Sequence, residues 1–503
     1  MNRRHSFPLI LLVALFAAGT LLVPSGPADA GMTDYCQVPP YVIQNIPPNV
    51  LILFDISGSM MNNAYYDGYQ TSTNAADDHS CTSTDRCTQY NWSGRPASHR
   101  YYGYFDPDQW YTYGSSVFSA QGPRTGARPA NSWSGDFLNW LTMRRIDVMR
   151  KVLTGGRPSS NKIDGEIPDD PVRGLYKQIT AGEATANTPY TEAVYFVFAT
   201  GNSGTSNFDV KRVSNGNNLA TGIRVNVQVP LPVEGVLQSV VGARARVGLM
   251  FYNTNAGGKI ITDVGGGSLP SVINQINLSR PSTNTPLAEA LWSAAGYFTQ
   301  QATISGYTTP SGTGPRYASS DYGTTNNSDP MNFGTGGSPR WPVCQKNFVL
   351  LLTDGEPCSD GGIPDGIRDY PSGRSNFQCK VGTNYQSCPA TSGTGWSFPA
   401  SSLANTLCGG TGVKSTNGDE SGIEDVALFM HTNDLRNNPT IGSNNISGFQ
   451  NLTLYTVFAF GSGSTLLKYA SINGGFENSG PTEMPTTTSP SNWDKNGDGV
   501  PDT

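Results

Sequence analysis

Three oxygen-bearing side chains follow an apolar run at alternate positions in NVLILFDISGSM, residues 49–60: Asp55, Ser57 and Ser59. A second apolar run, NFVLLLTDGEP, ends in the same way, delivering Asp354 and then Gly355. Between the two, Thr285 stands in STNTPLAEAL at the mouth of an expected helix, with Pro286 suited to its first turn. Two carboxylates and three hydroxyls are hard oxygen donors, and on three loops they describe a magnesium or manganese site. Gly58 is expected to turn the first loop tightly enough for Ser57 and Ser59 to point to one place.

Only a particular scaffold brings such loops together. Strands are expected at Val50–Phe54, Arg246–Tyr252, Lys259–Thr262, Asn347–Leu352 and Leu452–Phe460, several of them almost continuously apolar, as strands buried on both faces are. Helices are expected through FLNWLTMRRIDVMRKVL, where Phe137, Leu138, Leu141, Ile146, Met149 and Val152 share a face, and through PLAEALWSAAGYF. Two more fall at Gly422–Leu435 and Leu466–Ile472. Strands alternating with helices predict an α/β fold with a doubly wound, mostly parallel sheet, whose ligands gather at the carboxyl ends of the strands. Long Gly-, Ser-, Thr-, Asn- and Pro-rich excursions at 61–135, 155–235, 301–343 and 356–420 read as insertions, with small strands suggested by EAVYFVFATG and IRVNVQV.

Composition narrows the function. Charged residues make up 14% of the 503, against roughly 25% in an average soluble chain. Residues 1–30, with Arg3 and Arg4, an apolar stretch from Leu9 to Val23 and small residues at Ala28 and Ala30, read as a cleaved signal peptide. General secretion fits better than twin-arginine export, because RRHSF is a poor twin-arginine match. The formal net charge of −6 becomes −7 once Arg3, Arg4 and Asp29 are removed, which argues against nucleic acid as a partner. The eight cysteines, Cys36, Cys81, Cys87, Cys344, Cys358, Cys379, Cys388 and Cys408, are expected as disulfides in an exported chain. Their pairing is open, with Cys81 and Cys87 the one pair close enough in sequence to suggest itself.

In order and context, DISGSM, Thr285 in TPLAEAL and Asp354 in LLTDGEP resemble the metal-ion-dependent adhesion site of the von Willebrand factor A domain. The resemblance implies that Ser57, Ser59 and Thr285 bind the cation directly, while Asp55 and Asp354 hold it largely through water. An open coordination position would then accept a carboxylate from a partner. The segments RYYGYFDPDQWYTY, SGDFLNWLTMRRIDVMRKVLTGG, TPLAEALWSAAGYF and NFVLLLTDGEP resemble the N-terminal half of the PilY-type proteins of bacterial type IV pili, which are tip-located adhesins and assembly factors. That family's C-terminal β-propeller is absent from these 503 residues, so functions resident in it do not carry over.

Residues 31–480 are expected to form the A-like domain with its insertions, and 481–503 a linker and tail. In the tail, SNWDKNGDGVPDT sets Asp494, Asn496, Asp498, Val500 and Asp502 at positions 1, 3, 5, 7 and 9 of a calcium loop, without the twelfth-position carboxylate. SDGGIPDGIRD, with Asp360, Asp365 and Asp369, is a fainter echo and reads as a loop. The aromatic run from Tyr101 to Tyr113 reads as the anchor of its own loop in preference to a sticky platform. These features predict an exported, non-catalytic, metal-dependent adhesion and assembly module. Its expected partners are pilins or other pilus and surface proteins, a host or abiotic ligand with an acidic group, and a separate propeller-containing chain. The competing reading is a secreted metal-dependent hydrolase using Asp55, Asp354 or Glu356, for which no serine nucleophile motif with a histidine partner is apparent.

Overall fold

The computed structural model describes residues 46–65, 90, 100–126, 128–168, 175–253, 257–301, 329–334, 338–342, 345–355, 357, 360, 363–364, 367, 378–381, 384–387, 422–436, 446, 448–460 and 465–475. The signal peptide, the calcium-loop tail, Glu356 and every cysteine except Cys379 lie outside the described residues. The chain is a mixed α/β protein with several mixed sheets.

The sheet that carries the loops of interest has five strands: β1 (Asn49–Phe54), β2 (Arg246–Tyr252), β3 (Gly258–Gly265), β4 (Asn347–Thr353) and β5 (Thr453–Phe458). Their spatial order is β3-β2-β1-β4-β5. β1 runs parallel to β2, from Asn49 opposite Arg246 to Phe54 opposite Phe251, and parallel to β4, from Asn49 opposite Asn347 to Phe54 opposite Leu352. β5 is parallel to β4. β3 is the exception to the parallel pattern expected from sequence, pairing antiparallel with β2. The reason is length: only Asn253–Gly257 separates the two strands, far short of the dozen or more residues a parallel crossover needs.

Seven described helices matter here: α1 (Gly135–Thr142), α2 (Arg145–Thr154), α3 (Ala181–Asn187), α4 (Leu269–Leu278), α5 (Leu287–Thr299), α6 (Ile423–Thr432) and α7 (Thr465–Gly475). The two-residue period of β1 separates two cores. Leu51 and Leu53 pack with α5 and α6, whereas Ile52 and Phe54 pack with Ile146 and Met149 of α2 and Val272 and Ile276 of α4. Every residue of α5 is buried, which explains its apolar circumference.

FLNWLTMRRIDVMRKVL is two helices and not the single one its pattern predicts. Met143 and Arg144 are extended, with ψ of 128° and 158°. Their backbone groups are used elsewhere: the Met143 carbonyl accepts the Ala64 N–H at 3.0 Å, Arg144 bridges Asn63, and the Asp147 carboxylate accepts the Arg144 N–H. The break lets Ile146, Met149 and Leu153 of α2 reach a different core from α1, with Val148 still in the core that α1 fills. Val152, expected on the buried face, is 38% exposed.

Between β1 and β2 the chain builds two further sheets with a core of their own. Six short strands lie in the order Ser132–Ser134, Gln109–Gly114, Val117–Pro123, Asn226–Gln228, Lys162–Asp164, Pro158–Ser159, and four more form an antiparallel sheet of Asn218–Arg224, Asn207–Arg212, Val194–Phe198 and Tyr176–Ile179. Much of what reads as polar insertion is therefore strand. An aromatic core of Trp133, Phe137, Trp140, Phe196 and Phe208 joins them. Tyr101, Tyr104, Phe105, Trp110 and Tyr111 are buried, most of them in this core, so the aromatic run anchors its loop as expected, and only Tyr102 is largely exposed. Among the described residues no helix is long and apolar enough to cross a membrane.

Candidate metal centre

Asp55 follows the last residue of β1, its N–H continuing the ladder to the Leu352 carbonyl at 3.0 Å. Its carboxylate is fully buried and locked between two loops. Oδ1 accepts the Ser57 N–H at 2.6 Å, and Oδ2 accepts the Thr353 hydroxyl at 2.7 Å and the Asp354 N–H at 3.4 Å. The Ser57 and Ser59 hydroxyls are 2.8 Å apart, and Ser59 donates to Asp354 Oδ1 at 2.8 Å. Asp55, Ser57, Ser59 and Asp354 thus form one connected chain of hydrogen bonds at the carboxyl ends of β1 and β4. The turn is made by a 3₁₀ segment, Gly58–Met61, with the Met60 N–H on the Ser57 carbonyl. Gly58 opens this segment and is not among the residues of positive φ, so the loop turns here without a left-handed residue.

The segment that leads to Thr285 is tied to the Ser57 loop, while the Thr285 side chain takes no part in the hydrogen-bond chain above. The Ser282 and Thr283 N–H groups both donate to the Ile56 carbonyl, Gly58 N–H donates to the Thr283 carbonyl at 2.9 Å, and Ser57 and Thr283 form a parallel bridge. Two residues on, Thr285 is buried at the start of α5. The helix is capped from SDGGIPDGIRD, where Asp360 accepts the Ala288 and Glu289 N–H groups at 2.9 and 3.0 Å. Asp360 is thus a helix cap, a role its loop-like sequence conceals. Asp365 and Asp369 lie outside the described residues.

Burial, and next the nearby Asp354 charge, push the Asp55 carboxyl up to about 7, against the downward pull of hydrogen bonds from Ser57 and Thr353. Among the described residues Asp55 has no basic partner, an unusual condition for a buried carboxylate, which is normally paired or coordinated to a metal. Two carboxylates and clustered hydroxyls suit a hard divalent cation, so the donor set fits. Among the described residues no group of three or more His, Cys, Asp or Glu side chains is placed to hold a metal, and this rim draws on hydroxyl oxygens instead. Tyr252, at the end of β2, is buried beside the same carboxylates; burial, and then the charge of Asp55, raise its hydroxyl pKa well above the usual value.

Sequence reasoning missed Thr353, Arg145 and the capping role of Asp360. Thr353 had a local signal, standing directly before Asp354. Arg145 had none, since its guanidinium reaches Asp354 Oδ2 at 3.1 Å across 209 positions.

Residues 96–225 match the family model described as "PilY1 homolog, small alpha/beta domain". A relative, the Type IV pilus biogenesis factor PilY1 homolog of Xylella fastidiosa (strain Temecula1), is 40% identical over 65 residues, 12% of this chain and 4% of the relative. The chain therefore aligns with only a small part of that protein. No solved structure matches. The matched residues cover most of the aromatic-cored insertion, including α1, α2 and α3 but not the strand Asn226–Gln228, and they contain Arg145, Asp147, Arg150 and Glu166. The five-stranded sheet and the Asp55 and Asp354 loops lie outside the match.

Proposed function

We propose that this chain is an exported, non-catalytic adhesion and assembly module of a type IV pilus or cell surface, working through a magnesium or manganese ion. In this reading the five-stranded sheet is a doubly wound, von Willebrand factor A-like frame. Ser57, Ser59 and Thr285 hold the ion directly, with Asp55 and Asp354 behind them. The bound ion supplies an electrophilic position for an acidic group of a pilin, another surface protein or a surface ligand. The observation that carries the reading is Asp55: a fully buried carboxylate, fixed by neutral donors only, hydrogen-bonded through Ser57, Ser59 and Thr353 to a second carboxylate loop. The match of residues 96–225 to the PilY1 homolog domain supports the pilus setting.

The signal peptide, the disulfides and weak calcium binding by Asp494, Asn496, Asp498, Val500 and Asp502 complete the proposal. His431, the one described histidine, is buried against the Leu452 carbonyl at 3.1 Å. Calorimetry should find one magnesium or manganese site in the wild type and none in Asp55→Ala, with the fold retained. Cross-linking in the native envelope should recover pilins with this chain. Undiminished metal binding in Asp55→Ala would remove the central claim.

A further inference from the structure

The rim already holds a permanent cation of the chain's own. Arg145, the first residue of α2, places Nη1 3.1 Å from Asp354 Oδ2, while Oδ1 of the same carboxylate accepts the Ser59 hydroxyl. The side chain is only 14% exposed and its guanidinium lies 5.9 Å from the centre of the Phe460 ring. Its backbone N–H is held by the Asn62 carbonyl at 3.0 Å, directly after the 3₁₀ turn that carries Ser59. Arg145 is thus built into the rim. One Asp354 oxygen faces the hydroxyl donors, and the other faces a group that never loses its charge.

The same helix is tied at its middle to the inserted domain. Asp147 accepts the Glu166 N–H at 3.0 Å and the Tyr104 hydroxyl at 3.0 Å. Arg150 bonds Glu166 Oε2 at 2.7 Å and also donates to the Ile276 and Ser279 carbonyls. Glu166 Oε1 takes Arg280 at 2.7 Å, and Arg280 leads straight into the Ser282–Thr283 segment that pairs with the Ser57 loop. α2 and the 279–283 loop therefore both run between the metal rim and Glu166.

Resting on the metal reading above, we infer that Arg145 is a resident rival of the divalent cation. It neutralises Asp354 when metal is absent, weakens the site for metal by like-charge repulsion, and passes the state of the site along α2 to Glu166 and the inserted domain. Two cations beside one buried carboxylate repel more strongly than they would in water. The chain thereby gains a site that fills only when the metal is plentiful. The opposite role, in which Arg145 orients Asp354 in support of the metal, carries the opposite sign, because losing such support weakens binding.

Manganese titration calorimetry on the full chain, combined with hydrogen exchange with and without manganese, separates these roles. Arg145→Gln is expected to tighten manganese binding on the order of tenfold, as removal of one nearby like charge does at an intermediate dielectric. Arg145→Lys, which keeps the charge, is expected to stay near the wild type. Arg145→Met, apolar against Phe460, carries the expectation of Arg145→Gln if that variant does not fold. Manganese should alter exchange in the first turn of α2 and around Glu166 in the wild type, and not in Arg145→Gln. Wild-type binding with equal or weaker binding in the neutral variants, or an exchange response that persists in them, overturns the rival. If neither wild type nor variant binds manganese, the metal reading itself falls and takes this inference with it.

Discussion

Glu166 and Asp55 are both buried carboxylates, 2% and 0% exposed, yet the chain satisfies them in opposite ways. Glu166 receives Arg150 at 2.7 Å, Arg157 at 3.1 Å and Arg280 at 2.7 Å, the first two from α2 and the turn after it and the third from the loop before α5. Asp55 receives the Ser57 N–H, the Thr353 hydroxyl and the Asp354 N–H, all neutral. At Glu166 the protein supplies its own counter-charge in excess and ties the insertion to α2 and to the loop before α5. At Asp55 it supplies geometry without counter-charge, and the carboxyl climbs to about 7 in consequence. One carboxylate is finished by the fold, and the other is left for something that arrives later.

The largest effect is expected at the finished one. Glu166→Gln leaves Arg150 buried without its carboxylate, and breaking a buried ion pair from one side costs about 3–5 kcal/mol. Urea unfolding of the full chain reads this; full stability in the variant would mean that the three arginines are satisfied without Glu166.

Asp55→Asn should behave differently. With free manganese near 100 times its dissociation constant, the wild type is expected to gain about 2.7 kcal/mol of stability and the variant nothing. The sign with pH follows from the raised carboxyl. Folded Asp55 titrates near 7 and the unfolded residue near its ordinary 3.8, so between these values the folded chain holds a proton that the unfolded chain releases. The stability from that proton is full below about pH 4 and is lost as pH rises through about 7. Metal-free wild type should therefore weaken across this window relative to Asp55→Asn. A difference that is flat with pH would show that Asp55 has a cationic partner.

The smallest effect is expected at a third buried carboxylate. Asp360→Ala removes a helix cap and should cost about 1 kcal/mol, with manganese affinity unchanged. Loss of metal binding would move Asp360 from capping α5 into the site itself.

What the sequence disclosed here, and what it hid, follows the range of the forces involved. The strands of the five-stranded sheet announce themselves, because burial on both faces demands apolar runs, and Asp55, Ser57, Ser59 and Asp354 stand directly after two of them. The inserted domain was only partly legible. Its strands are two to seven residues long and half exposed, so polar residues fill them and the runs read as loop. The break between α1 and α2 was invisible because the residues that take up the backbone groups of Met143 and Arg144 are Asn63, Ala64 and Asp147, two of them some 80 positions away. Arg145, Glu166 and Asp360 act across the fold, where no spacing rule applies.

The placement of the inserted domain also bears on how the chain reaches this structure. β1, the central strand, has neighbours whose paired residues lie 197 and 298 positions further on, Asn49 with Arg246 and Asn49 with Asn347. Closing loops of that length before any contact rewards them is entropically costly and slow. The aromatic-cored domain pairs its strands within residues 109–228 and can condense on its own terms, which draws the two ends of the first long excursion together. Synthesis from the N-terminus presents β1 well before either neighbour, β2 and β4. A compact insertion shortens the effective length of the first of those loops and so lowers the entropic cost of pairing β1 with β2.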